Sequence, residues 1–262
     1  MQITKFLGYL LISSFFLVGC SDDDDSPING NPDRAANNLP LGSGNTPNNL
    51  LSDTNFKSIT IEMVAVQGFE PTPVAVENFR TFLEDRLNKP DGINIIQRSI
   101  SSSNNAPFNT DEIREIENNT RTLFNAGDDI AVYVYFADGS NEDDSGEQVT
   151  LGSAYKNTSM VIYEGTLRRF GNSSPRAPSL STIETATLNH EFSHLMGLVD
   201  LGTPLQSPHE SVNDQGEENN HCNVSGCLME ASIQFTSSIM GMSEVPQLDA
   251  LCIADLQANG GK

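Results

Sequence analysis

The stretch HEFSHLMGLVD, residues 190–200, decides how this chain is to be read. His190 and His194 stand four apart, and on a helix such side chains lie on one face, one turn above the other. Their ring nitrogens can therefore share one metal ion. Glu191 lies about 100° round the same helix. It is too close in sequence to His190 to share the ion comfortably, but near enough to reach a water in an open coordination position. Gly197 is placed to end the helix in the left-handed conformation, so that Asp200 can swing back toward the ion. Two imidazoles, a third protein ligand and one vacant position describe a catalytic zinc, whereas a structural zinc takes four protein ligands. His-Glu-x-x-His arises in roughly one in 250 shuffled chains of this composition, so its setting matters. Here the setting is favourable: Ser181-Thr182-Ile183-Glu184 has the spacing of a capping box that would open the helix.

Two residues compete for the third ligand position. Asp200 is the expected ligand, since a carboxylate oxygen is a normal zinc ligand. His221 is the alternative, because closing the intervening loop costs only about a few kcal/mol of entropy. The open site leaves room for one of them. His209, in SPHE, reads as an exposed loop residue.

Upstream of the motif, hydrophobic periodicity outlines a sheet with helical crossovers. FKSITIEMVAV, from Phe56, alternates as a strand should. Residues 74–89 repeat apolar side chains at helical spacing and stop before Pro90. Residues 93–100 read as a second strand, 110–124 as a helix capped by Thr110, and DIAVYVYF, 129–136, as a buried central strand. Strands that alternate with helices run parallel. Residues 148–164 read as a hairpin, so one strand there is antiparallel. The last helix is expected from near Pro246.

The N-terminus reads as a targeting segment. Lys5 precedes the apolar run FLGYLLISSFFLVG, which ends in Leu17-Val18-Gly19-Cys20. That resembles a bacterial lipobox, so 1–19 is expected to be a lipoprotein signal peptide and Cys20 the lipidated residue. Asp22–Asp25 follow at once, and resemble a surface-export signal as much as a solvated spacer. Residues 20–55 contain no aromatic side chain and are rich in Asn, Pro, Gly, Ser and Asp. They read as a disordered tether with a reach of about 30 Å. The globular domain is then 56–262. Export implies an oxidising compartment. Once Cys20 carries lipid, Cys222 and Cys227 are the expected disulfide, and Cys252 a small buried hydrophobe. The net charge of −21 excludes nucleic acid as a partner and disfavours anionic lipid head groups.

HEFSHLMGLVD resembles the signature of metzincin zinc peptidases, in its Asp variant similar to snapalysin-type enzymes. Cys222-x4-Cys227-Leu228-Met229 is similar to an archaemetzincin arrangement without the full cysteine pattern. The resemblance implies an α/β (α+β) fold. Its twisted, mixed five-stranded sheet has an antiparallel edge strand and packs on two long helices and the active-site helix. A small C-terminal lobe carries a Met-turn and a final helix, with an upper lobe at 56–197 and a lower one at 198–262. It also implies Met229 as the turn methionine, and VTLGSAY as the edge strand that pairs with a substrate peptide. Ala231 stands where some members carry a tyrosine, so any oxyanion helper is another group.

The implied protein is a monomeric zinc metalloendopeptidase with one catalytic ion. Glu191 is its general base, a peptide or protein its substrate, and the cell envelope its location, as an outer-membrane lipoprotein. The rival is a surface lipoprotein binding module that keeps the fold without cleaving; the intact Glu191 argues against it. Asn141-x-Asp143-x-Ser145-Gly146 resembles the first half of a calcium loop, but Gly152 stands where the bidentate carboxylate should be. A solvated acidic loop is the preferred reading there. The methionines of SSIMGMSEV suit a substrate pocket or plain packing equally well.

Overall fold

The computed structural model describes residues 32–145, 149–174, 177–213, 215–231 and 244–262. The expected signal peptide over 1–19, Cys20 and the methionines of SSIMGMSEV lie outside them. Among the described residues no helix is long and apolar enough to cross a membrane.

The central strand sets the layers. DIAVYVYF is a strand from Asp129–Phe136, buried almost throughout. Successive side chains point to opposite faces of a strand. Ile130, Val132, Val134 and Phe136 therefore join one apolar cluster with Phe79 and Phe192, while Tyr133 and Tyr135 join another with Phe108 and Ile113. Each such fully buried side chain contributes about 1.5–3 kcal/mol. The strands are β1 (Ser58–Val66), β2 (Gly92–Ile100), β3 (Asp129–Phe136), β4 (Gly152–Lys156) and β5 (Ser159–Ile162), in the sheet order β2-β1-β3-β5-β4. β1, β2, β3 and β5 run parallel, and β4 is the antiparallel edge. The expected mixed five-stranded sheet with an antiparallel edge strand is what forms.

Six helices are described: α1 (Thr46–Leu51), α2 (Pro73–Arg86), α3 (Thr110–Thr120), α4 (Glu164–Gly171), α5 (Leu180–Leu195) and α6 (Ala250–Ala258). α2 and α5 cover one face of the sheet, where the Phe79 and Phe192 rings meet edge to face at 5.5 Å. Asn109, not Thr110, caps α3 and completes a capping box with Glu112. α4 is short, and two of its residues are glycines; at Gly165 a Cβ would stand 2.4 Å from the Asp138 carbonyl oxygen.

α5 also begins differently from the expected capping box. Its N-cap is Ser179, which accepts the Thr182 amide. That places Glu184 inside the protein, where it accepts the Thr72 amide and hydroxyl at the start of α2. Glu184 faces the equally buried Glu164, whose other partner is Arg168 at 2.6 Å. Burial, then the charge of Glu184, pushes Glu164 up to about 8, and burial raises Glu184 too. A carboxyl raised in the folded state stabilises below its ordinary value of 4.5, and that contribution is lost as pH rises through the folded value. The pair's own contribution to stability in urea should therefore decline between about pH 5 and 8, by up to about 1.4 kcal/mol per pH unit. In Glu164→Gln the decline should flatten; an unchanged slope would show that the pair releases its proton freely.

The tether expected over 20–55 is, from residue 32 on, part of the fold. Leu50 and Leu51 are fully buried. Asn37 accepts the Asn125 amide at 2.8 Å and donates to the Ala131 carbonyl at 3.0 Å. The Lys89 ammonium donates to the carbonyls of Asn49, Ser52 and Phe56. Composition misleads here because the segment is held by amide side chains bonded to buried backbone and by two leucines, not by a continuous apolar face.

Candidate metal centre and catalytic carboxylate

α5 presents His190, Glu191 and His194, all buried. It ends as the sequence suggests: Gly197, at φ 78°, donates to the His194 carbonyl and Leu198 to that of Ser193, a Schellman pair. A Cβ at Gly197 would lie 2.8 Å from Pro47, so the ordered N-terminal segment presses directly on this turn.

Beyond the turn the chain does not bring Asp200 inward. Val199 and Asp200 both sit in the left-handed region, at φ 54° and 63°, and Thr203 returns its amide to the Gly197 carbonyl at 2.9 Å. The loop closes on itself with Asp200 exposed, outside the histidine group.

The third imidazole is His221. The polar stretch after the turn forms a hairpin of β6 (Glu210–Val212) and β7 (Glu218–Cys222), and His221 lies near the end of β7. Asn220, at φ 57°, turns the strand there and ties it to the Val199 carbonyl at 3.3 Å. Asparagine is among the few residues that take this conformation readily. The ring centroids of His190, His194 and His221 lie 4.9, 5.4 and 5.1 Å apart. One ring nitrogen from each is within 4.8 Å of the others.

Backbone carbonyls occupy one nitrogen of two of these rings and leave the other to face inward. His190 Nδ1 donates to the Leu228 carbonyl at 2.7 Å and His221 Nδ1 to that of Asn219 at 2.6 Å. Both rings thus carry their lone pair on Nε2. His221 Nε2, although buried, has no partner among the described residues. His190 Nε2 and His194 Nε2 stand 3.2 Å apart; two imidazoles on one tetrahedral zinc would place them about 3.3 Å apart. Burial first, and then the neighbouring His221, holds His190 down to about 3, and burial lowers His194 and His221 as well. Burial thus favours the neutral ring, the form a metal requires.

Met229 lies in a tight turn, in which the Glu230 amide returns to the Cys227 carbonyl at 3.0 Å. That turn braces two of the three imidazoles. Leu228 accepts from His190, and Met229 accepts the Cys222 amide at 2.7 Å, next to His221.

Glu191 is 1% exposed, and its Oε2 accepts the Ala154 amide of β4 at 2.8 Å. Burial pushes its pKa up to about 8, partly offset by that bond. Among the described residues the buried Glu191 carboxyl has no cationic partner, a setting a metal ion would complete.

A second group lies behind the turn. Ligand atoms of Cys222, Cys227, Asp249 and Cys252 lie within 4.8 Å of one another. The expected Cys222–Cys227 disulfide does not form; all three cysteines are free. Cys222 Sγ donates to Asp249 at 3.1 Å, and Cys227 Sγ stands 3.8 Å from Cys252 Sγ. A disulfide needs about 2.05 Å, whereas two thiolates on one zinc lie about 3.8 Å apart. His209 is not the exposed loop residue expected: it is buried, 3.6 Å from Cys252 Sγ and 3.3 Å from Asp255. The paired spacings Cys222-x4-Cys227 and Asp249-x2-Cys252 carried this signal in the sequence.

No protein-family model matches the chain, and no curated protein matches it. Among solved structures, a zinc-dependent peptidase from Methanocorpusculum labreanum (strain Z) is similar over 75% of this chain and 99% of that one, at 14% identity and a TM-score of 0.41. At that distance the likeness carries no residue role to this chain.

Proposed function

We propose that this chain is a zinc-dependent endopeptidase, with His190, His194 and His221 as metal ligands and Glu191 as general base. The observation that carries the reading is the convergence of three buried imidazoles, with the buried Glu191 next to His190 on the same helix. Zinc, when bound there, would supply Lewis acidity to a scissile carbonyl and to water. Glu191 takes the water's proton on its carboxylate and delivers it to the departing amine. β4 lies alongside as an open sheet edge, which suits an extended peptide added as a further strand. Three protein ligands leave one position vacant, as hydrolysis requires. Asp200, exposed on its loop, has no part in this ligand set.

The test is digestion of a denatured protein by the metal-loaded chain, with and without a chelator. Internal cleavage abolished by the chelator is the expected result. Stoichiometric zinc with no cleavage would favour the rival, a binding module on the same fold. The anchoring of the chain through Cys20 to the outer membrane, facing the surface, belongs to the same proposal, as does its action as a monomer.

The cysteine group would hold a second ion in a closed, structural site, because it offers four protein ligands. Two zinc ions per chain are expected by elemental analysis. Cys252→Ser should bind one and melt at least about 5 °C lower. One ion per wild-type chain would remove the second site from the account.

A further inference from the structure

The open edge of the sheet runs closer to the motif helix than a strand with ordinary side chains could. A Cβ at Gly152 would sit 2.7 Å from Glu191 Cγ, 2.9 Å from Thr187 Cγ2 and 3.1 Å from Glu191 Oε1. Gly152 is not in the left-handed region. What glycine supplies here is space, not conformational freedom. The close approach has a chemical consequence two residues on, where the Ala154 amide points at Glu191 Oε2 from 2.8 Å. That amide is given to a carboxylate and not to the sheet, although Ala154 pairs with Met160 of β5 in the ladder.

We infer that Gly152 is a positioning residue for hydrolysis: its missing side chain lets β4 close on α5, so that the Ala154 amide fixes the Glu191 carboxylate in one orientation. The catalytic consequence rests on the peptidase reading above; the positioning itself rests on the contacts of Gly152, Ala154 and Glu191 alone. A glutamate side chain has several rotatable bonds. A charge-assisted bond to a backbone amide on a rigid strand removes that freedom before substrate arrives. A methyl group at residue 152 must push either the strand or the carboxylate away. Displacement of a reacting group by about 1 Å can cost about a hundredfold in rate.

Two measurements on the zinc-loaded protein test this. In Gly152→Ala, kcat should fall about a hundredfold, with KM changed less than about threefold and zinc content unchanged. Amide hydrogen exchange at Ala154, read by NMR, needs no activity. In the wild type the amide should be protected, and in both Gly152→Ala and Glu191→Ala it should exchange at least about tenfold faster. A Gly152→Ala protein with kcat within about threefold of wild type would overturn the inference. So would an Ala154 amide that exchanges equally fast in wild type and Glu191→Ala, a comparison that still decides if Gly152→Ala does not fold. If the wild type cleaves nothing, the exchange data still decide the positioning, and the peptidase reading fails separately.

Discussion

Glu191→Ala should bind zinc like the wild type and hydrolyse peptides about 10²- to 10⁴-fold more slowly, the range a positioned general base contributes. Glu191 is adjacent to a ligand but is not one. Its carboxylate bonds to the Ala154 amide, whereas the metal group consists of His190, His194 and His221. Removing it should therefore separate binding from chemistry. Zinc titration would give an unchanged stoichiometry, while kcat falls with little change in KM. A variant that keeps full activity would show that another group moves the proton. One that loses zinc along with activity would show that the carboxylate helps to hold the ion.

Replacing the third imidazole has the opposite signature. His221→Ala should lose zinc affinity by more than about a hundredfold, because even partners of ligands cost tenfold to a hundredfold when removed. Asp200→Ala should leave affinity and activity within about threefold of wild type, since Asp200 is exposed on a loop that closes through Thr203 and Gly197. Competition with a chromogenic chelator measures both. Wild-type affinity in His221→Ala together with a large loss in Asp200→Ala would restore the carboxylate to the coordination sphere.

The contrast between these two residues shows which parts of the site can be read locally. His190, Glu191 and His194 share one helix, and their relations follow from its period alone. Asp200 has the right distance along the chain, but the chain's direction after Gly197 depends on φ at Val199 and Asp200, which spacing does not reveal. His221 reaches the site through a hairpin whose strands are only three and five residues long, too short for periodicity to register. Its nearest local sign is that it directly precedes Cys222, whose amide binds Met229. The five strands were legible because β3 is apolar and the others alternate with helices or form a hairpin. The ordered segment from residue 32 was not, because its stabilising bonds run from Asn37 and Lys89 to backbone far away in sequence. The pairing of Cys222 with Cys227 failed for a related reason: nearness along the chain concealed that Asp249 and Cys252, at the start of α6, lie as close in space.

Anomalous scattering from crystals of the zinc-loaded protein, recorded at the zinc edge, tests the central claim most directly. The expected result is a peak within about 2.0–2.1 Å of one ring nitrogen each from His190, His194 and His221, with Asp200 remaining in solvent. A peak bonded to Asp200, or none between the three rings, would contradict it.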